Sequence, residues 1–540
     1  MKIKIAKKAG FCMGVRRAVN LVLKALSRGE KPIYTYGPLI HNPQTLKLLE
    51  KLGVKIIRDV NEDVPSGSCI LRAHGIPPQE KEKLSKKHKI IDGTCPRVLK
   101  VQALAKKAVK RGADVIIIGD KDHAEVKGIL GFCKDKGYIV NNFEDIEKLP
   151  ELKDYVILSQ TTQDKNLFEK LSQKILSKYP SGEVINTICN ATHLRQEEVR
   201  KLCNECQVII VIGGKFSANT NRLAQIARNE GKEVYLVETA DEIPLEKIKK
   251  YKKIGITAGA STPNWLINEV VDKLKSTSIF YIILKVFSFL CFVPILSFLL
   301  YFLGFSNFAN FNISNFFLFF LFSFLFFKYN FFQLKTKDSL EFFYSLKNKF
   351  LNNHKWLINF LLIISGILVI LSSLFIDLKL FSLFIIFIFL DFFLLKSSFY
   401  FISEILFFII LVFYFLGFNN LLLLMEIIAF LIFMRLYLEL VYLETDGFLP
   451  KNFLISLCSF REDTVYKVLN IIIISGILLS FVLCFKNIFY IFLVLIWGWG
   501  YCLIKFLKKR PLGQIVYLEN LSLTFPLLFF IFSLIYKIWK

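Results

Sequence analysis

The sequence predicts an α/β half built from three pseudo-repeated lobes around one centre. An all-α polytopic membrane half of about nine helices follows it. Three observations point there. The first is a split in composition: of 56 Phe, five lie before residue 279 and 51 after it. Residues 1–278 carry 49 basic and 32 acidic side chains, whereas residues 279–540 carry 20 and 12, scattered among long apolar runs. The second is an alternation, in the first half, of short β-branched runs with amphipathic Lys/Glu-rich stretches. The third is a Cys that recurs three times in one local setting. Together they exclude a single soluble globule, a disordered chain and a small disulfide scaffold. They divide the chain into an α/β part at 1–275, a joint at 276–285 and a membrane part at 286–540.

Strands are expected at 33–36, 69–73, 90–93, 115–118, 155–158, 184–187, 208–212, 234–237 and 254–258. Their apolar runs are continuous, as in parallel strands covered on both faces. The first residues, Met1-Lys2-Ile3-Lys4-Ile5, lack the apolar core of a signal peptide, so this part is expected in the cytoplasm. Its seven Cys would be reduced there, as free thiols or metal ligands. The net charge of +17 on residues 1–278 comes from Lys scattered over helix faces, with no basic stripe interleaved with aromatics. That argues against nucleic acid and fits an anionic small substrate or membrane surface.

The Cys recur where a strand ends and a helix begins: Gly10-Phe11-Cys12-Met13-Gly14, Asp92-Gly93-Thr94-Cys95-Pro96 and Asn186-Thr187-Ile188-Cys189-Asn190. The spacings of 83 and 94 residues are each about one small α/β lobe. Open α/β sheets bind ligands at the carboxyl ends of their strands, so three such Cys can converge on one centre. Three soft thiolates fit an iron–sulfur cluster, and without a fourth Cys one iron stays open to substrate. Ile40-His41-Asn42, Ala73-His74-Gly75 and Asp122-His123-Ala124-Glu125 put three of the six His at strand ends or in loops. Gly213-Gly214-Lys215-Phe216-Ser217-Ala218-Asn219 and Thr257-Ala258-Gly259-Ala260-Ser261 follow two further strands. Such turns offer N–H and hydroxyl donors to phosphate oxygens. Each is an ordinary turn by itself; with three imidazoles they read as a diphosphate pocket.

These residues, with Ser159-Gln160-Thr161-Thr162 and Arg195-Gln196, resemble the 4-hydroxy-3-methylbut-2-enyl diphosphate reductases, the IspH/LytB family. The resemblance runs over about 1–275, and its motifs keep the family's order. It implies that Cys12, Cys95 and Cys189 hold a [4Fe-4S] cluster and that His41, His74, Ser217, Asn219 and Ser261 hold the diphosphate. His123 would line the pocket and contact the same diphosphate, and Glu125 with Thr161 would manage the substrate hydroxyl and the proton. The implied reaction is the reductive dehydroxylation of 4-hydroxy-3-methylbut-2-enyl diphosphate to isopentenyl and dimethylallyl diphosphate. A ferredoxin or flavodoxin would supply the electrons.

The sequence departs from the family at Ser217-Ala218-Asn219, where many members have two successive serines. One hydroxyl contact is lost, worth about 1 kcal/mol if neutral. Cys203 and Cys206 form a C-x-x-C without a partner pair, where a helix runs into a strand, and are expected to be structural.

In the second half, apolar spans of bilayer length are expected near 286–305, 312–332, 357–376, 380–395, 399–416, 421–440, 468–485, 488–504 and 521–536. Lys and Arg concentrate in the connections at 333–356, 441–467 and 505–520, which orients a multi-pass inner-membrane protein with its first half cytoplasmic and its spans in membrane lipid. Asp391, Glu404, Glu426, Arg435 and Glu439 are the charged residues in or at the ends of spans. Nine spans, with the two longest inside loops after spans 2 and 6, resemble the UbiA-type prenyltransferases. That resemblance implies a Mg²⁺–diphosphate site, with Glu444 and Asp446 in the second loop. The first loop keeps Asn330 and Asp338 but lacks two acids between them, which points to a degenerate site. An alternative for the whole chain is a diphosphate-binding sensor or transporter with a non-catalytic soluble domain.

Overall fold

The structure, a computed structural model, describes residues 1–290, 292–309, 313–335, 350–351, 353–375, 382, 384–385, 406–407, 409–411, 421–446, 462–484, 490–507 and 515–539. The chain divides into two compact units, Met1–Val270 and Val271–Lys540.

The first unit holds three four-stranded sheets, all of them parallel. Its elements in order are β1 (Lys2–Ile5), α1 (Met13–Ser27), β2 (Ile33–Tyr36), α2 (Pro43–Lys51), β3 (Val54–Ile57), β4 (Ser68–Leu71), α3 (Pro78–Ser85), β5 (Lys89–Ile91) and α4 (Pro96–Lys110). Then come β6 (Asp114–Ile118), α5 (Ala124–Leu130), β7 (Gly137–Val140), α6 (Phe143–Glu147), β8 (Tyr155–Ser159), α7 (Lys165–Lys178), β9 (Glu183–Val184) and α8 (Asn190–Glu205). The unit closes with β10 (Val208–Ile212), α9 (Ala218–Asn229), β11 (Glu233–Val237), α10 (Leu245–Ile248) and β12 (Lys253–Ala258), and α11 (Asn264–Lys275) leads into the second unit.

The sheets run β3-β2-β4-β5, β7-β6-β8-β9 and β11-β10-β12-β1. They share one order: second strand at the edge, then first, third and fourth. In the last sheet the fourth place is taken by β1, with Lys2 beside Lys253 and Ile5 beside Ile256. The third lobe is thus a circular permutation of the other two. The central strands β4, β8 and β10 are buried throughout. In the second sheet, Val115, Ile117, Val156 and Leu158 pack into one core and Ile116, Ile118 and Ile157 into another. Both faces are covered, as continuous apolar strands require.

Cys203 and Cys206 lie in a buried core with Val199, Ile209 and Leu223. Burial pushes the Cys203 thiol up to about 11 and raises that of Cys206. That apolar setting fits the structural reading.

The described part of the second unit is helical: α12 (Ile279–Phe289), α13 (Phe292–Ala309), α14 (Asn315–Lys335), α15 (Lys355–Ser373), α16 (Leu421–Asp446), α17 (Glu462–Cys484), α18 (Ile491–Leu507), α19 (Ile515–Ser522) and α20 (Thr524–Trp539). Among the described residues three helices are long and apolar enough to cross a membrane: Lys355–Ser373, Tyr466–Cys484 and Asn520–Ile538. A fourth is reached by joining α12 and α13, which are bent by 68°. The joint expected at 276–285 is helical from Ile279 onward, because the apolar run begins there.

Spans expected at 380–395 and 399–416 fall largely outside the described residues, as do Asp391, Glu404 and Asp338 and the side chains of Arg435, Glu439, Glu444 and Asp446. Glu444 and Asp446 were expected in a loop, but the backbone stays helical through Asp446. Asn330 likewise lies in α14, where its amide donates to the carbonyls of Leu290 at 3.1 Å and Phe326 at 3.0 Å. Glu426 is fully buried and joins three helices: its Oε1 accepts from Ser480 Oγ at 2.6 Å and from Trp497 Nε1 at 2.7 Å. Gly476 makes room, since a Cβ there would lie 2.1 Å from the Trp497 ring.

Candidate active site

Each of the three Cys follows the fourth strand of its sheet and stands at the N-cap of the next helix: Cys12 before α1, Cys95 before α4 and Cys189 before α8. Each backbone N–H donates to a carbonyl two residues past the neighbouring strand: Cys12 to Ala260 at 3.0 Å, Cys95 to Ala73 at 3.0 Å and Cys189 to Thr161 at 2.8 Å. This repeated bond fixes each thiol at a carboxyl edge and at the positive end of a helix. All three are free and half-buried, and they line one pocket. Burial raises the Cys95 thiol, opposed by the N–H groups of Arg97 and Val98.

Gly14 decides how close the lobes come. A Cβ there would lie 2.5 Å from Cys95 Sγ, so only glycine lets the first turn of α1 meet the second Cys. Two guanidiniums tie the same turns together. Arg17 on α1 donates to the carbonyls of Thr94 at 2.9 Å and Asp92 at 3.0 Å. Arg195 on α8 donates to those of Gly10 at 2.7 Å and Ala191 at 3.2 Å. Arg195 and Gly14 stood in sequence motifs without a role of their own, and Arg17 carried no signal at all. Three free thiols on three helix N-caps, with a cradle that a Cβ would fill, fit a group held by three sulfurs.

The polar wall of the pocket is built by His41, His74, His123, Glu125, Thr161, Ser217, Asn219 and Ser261. All the sequence-predicted residues of the first unit therefore meet in one place. The imidazole centroids lie 4.5, 5.3 and 5.7 Å apart, and one donor atom from each ring falls within 4.8 Å of the others. Burial drives His74 well below its usual range and lowers His123 to about 4. It also lowers His41, helped by the Arg72 charge. The rings are thus neutral N–H donors. His123 Nδ1 accepts from the Glu125 N–H at 3.2 Å, which leaves the ring proton on Nε2. His41 Nε2 and both polar atoms of the Asn219 amide are buried without a protein partner, so they are open to a ligand.

Ser217 caps α9 with its Oγ toward the Thr220 N–H at 3.4 Å, and the α9 N-terminus adds backbone donors. Ser261 Oγ donates to the His41 carbonyl at 3.0 Å, joining two lobes across the pocket.

Glu125 is the one acid in this pocket. Burial pushes its carboxyl up to about 7, against the pull of two Thr161 bonds. Thr161 N donates to Oε1 at 2.7 Å and Thr161 Oγ1 to Oε2 at 2.9 Å. A carboxyl near neutrality can give or take a proton, and the threonine hydroxyl extends its reach.

Residues 3–275 match the family described as LytB protein. A 4-hydroxy-3-methylbut-2-enyl diphosphate reductase of Alkaliphilus oremlandii is 40% identical over 279 residues, 51% of this chain and 100% of that protein. One from Caldanaerobacter subterraneus subsp. tengcongensis is 44% identical over 280 residues, 51% of this chain and 97% of that protein. The solved structure of the E-1-hydroxy-2-methyl-but-2-enyl-4-diphosphate reductase from Plasmodium falciparum is 34% identical, with a TM-score of 0.49 over 51% of this chain and 88% of that one.

Proposed function

This chain belongs to the LytB protein family through residues 3–275, and from that premise we propose that its first unit reduces 4-hydroxy-3-methylbut-2-enyl diphosphate to isopentenyl and dimethylallyl diphosphate. The reaction consumes two electrons and two protons and releases the allylic hydroxyl as water. The observation that carries this reading is the single pocket shared by three free thiols, three neutral imidazoles and the Glu125–Thr161 pair.

Cys12, Cys95 and Cys189 would hold a [4Fe-4S] cluster. Such a cluster supplies electrons and an open iron that polarises the hydroxyl. The imidazoles of His41, His74 and His123, the hydroxyls of Ser217 and Ser261, the Asn219 amide and the α9 N-terminus orient the diphosphate. Glu125 holds a proton at its carboxyl and, through Thr161 Oγ1, delivers it to the departing oxygen; hydroxide leaves poorly unless protonated. The buried wall around Glu125 keeps water away from that proton. A ferredoxin or flavodoxin is the proposed electron donor.

The full chain, purified anaerobically, is expected to be brown, to carry about four irons and to turn the substrate over. Cys95→Ser is expected to abolish turnover and lose iron. A colourless, iron-free chain that still binds the diphosphate would instead favour the sensor or transporter reading.

For the second unit the reading is a multi-pass membrane domain of about nine spans, with the first unit on the cytoplasmic side. The three apolar helices support it, as does the concentration of Lys and Arg at 333–356, 441–467 and 505–520. A UbiA-like Mg²⁺–diphosphate site there would rest on Glu444 and Asp446. The Asn330 Nδ2 is spent on two carbonyls, whereas its Oδ1, the atom that would meet a cation, is buried without a partner among the described residues.

A further inference from the structure

Arg195 is buried deep in the first unit, yet its charge has no carboxylate beside it. Among the described residues its two hydrogen bonds go to neutral carbonyls, and its Nε is buried without a partner. Desolvating a guanidinium costs several kcal/mol unless negative charge compensates it. Its side chain lines the pocket together with Cys12 and Cys189. Burial pulls its pKa down, and negative charge at Cys12, Cys189 and Glu198 opposes this. Glu198 itself is turned to the Lys8 N–H at 2.7 Å.

The bonds have a direction as well. Arg195 springs from the helix that Cys189 caps, and it grips the carbonyl of Gly10, two residues before Cys12. Gly10 stands at φ +94, and a Cβ there would lie 2.5 Å from Asn264 Oδ1, so this turn has one allowed shape. A planar fork suits such a task better than an ammonium, because both prongs are fixed by one group.

We propose that Arg195 is a positioning residue for the thiol triad, which locks the Cys12 turn onto the Cys189 helix and supplies the buried positive charge that sets the reduction potential of the cluster those thiols hold. This rests on the cluster reading above. A cation beside an anionic centre favours the state with one more electron, so removing it makes reduction harder.

The test uses the full chain, reconstituted anaerobically, with Arg195→Gln and Arg195→Lys compared against the parent by redox titration and iron analysis. Arg195→Gln is expected to lower the ratio of reduced to oxidised cluster at a fixed poise at least tenfold, about 59 mV for one electron. Arg195→Lys keeps the charge and is expected to stay within threefold of the parent. Lacking the fork, it is expected to lose iron to a chelator several times faster. Arg195→Met, which needs no hydrogen-bond acceptor, replaces Arg195→Gln where the latter fails to fold. A parent-like potential in the neutral variant at full iron occupancy overturns the proposal, as does an Arg195→Lys shift as large as the neutral one. A parent chain that binds no iron overturns the proposal together with the cluster reading; a parent with about four irons and unshifted variants removes the role of Arg195 alone.

Discussion

Glu125 and the three histidines sit in the same desolvated wall and respond in opposite senses. Burial favours the neutral form of each, so the carboxyl is raised to about 7 and the imidazoles are lowered, His123 to about 4. For Glu125 the folded chain binds a proton more tightly than the unfolded one. Its contribution to stability is full below about 4.5, its ordinary value, and is lost as pH rises through about 7. For His123 the contribution is full above about 6.5 and is lost as pH falls through about 4. Between these limits the two trends oppose each other, and His41 and His74, lowered as well, side with His123, so the ligand-free pocket gains stability as pH rises through mildly acidic values. Catalysis runs the other way, because the protonated carboxyl is the donor. Turnover is expected to fall as pH rises through about 7. Glu125→Gln is expected to lower turnover by about 10²–10⁴ and to leave diphosphate binding near that of the parent. A pH–rate profile with binding measured alongside checks both; an unchanged profile in Glu125→Gln would assign the proton to another group.

The α1 helix shows how an element can be aimed by one missing atom. Its first turn carries Cys12 as cap and Gly14 against Cys95. Gly14→Ala would force the two sulfur-bearing turns apart, an overpacking cost of about 1–3 kcal/mol, and is expected to lower both melting temperature and iron content. Full iron at an unchanged melting temperature would show that the turns have slack. The strands that sequence revealed are mostly those with continuous apolar runs, such as β4, β6, β8, β10 and β12, which lie inside their sheets. It missed β1, β3 and β7, which are edges: Lys2-Ile3-Lys4-Ile5 has one wet face and reads as a polar terminus. The site was legible almost entirely, since its donors are turn residues at strand ends, where little else explains a Cys or a His. The roles of Arg17 and Arg195 were not, because a helical arginine reads as surface charge. Their partners also lie 77 and 185 residues away along the chain, where no local pattern reaches.

At the scale of the molecule, the reductase half is a complete unit in its relatives: the Alkaliphilus protein is matched over its whole length by about half of this chain. Chemistry in the second unit is therefore expected to be separable. If the second unit transfers prenyl groups, Asp446→Asn in the full chain is expected to abolish that Mg²⁺-dependent activity while reductase turnover stays intact. Loss of both activities, or of neither, would remove the transferase reading. The circular permutation of the third lobe has a further consequence, for synthesis. β1 leaves the ribosome first, but its partner β12 begins at Lys253, so at ~5–20 residues per second the strand waits roughly 10–50 s for its sheet. Until then Cys12 lacks the Ala260 carbonyl that holds its turn, so the three thiols are not yet all in place. Ile279, where the apolar helices start, is translated about one second to a few seconds after β12 ends. Closure of the Cys12 turn and synthesis of the first apolar helix thus fall in one short interval, the first gated by the last strand made before the second begins.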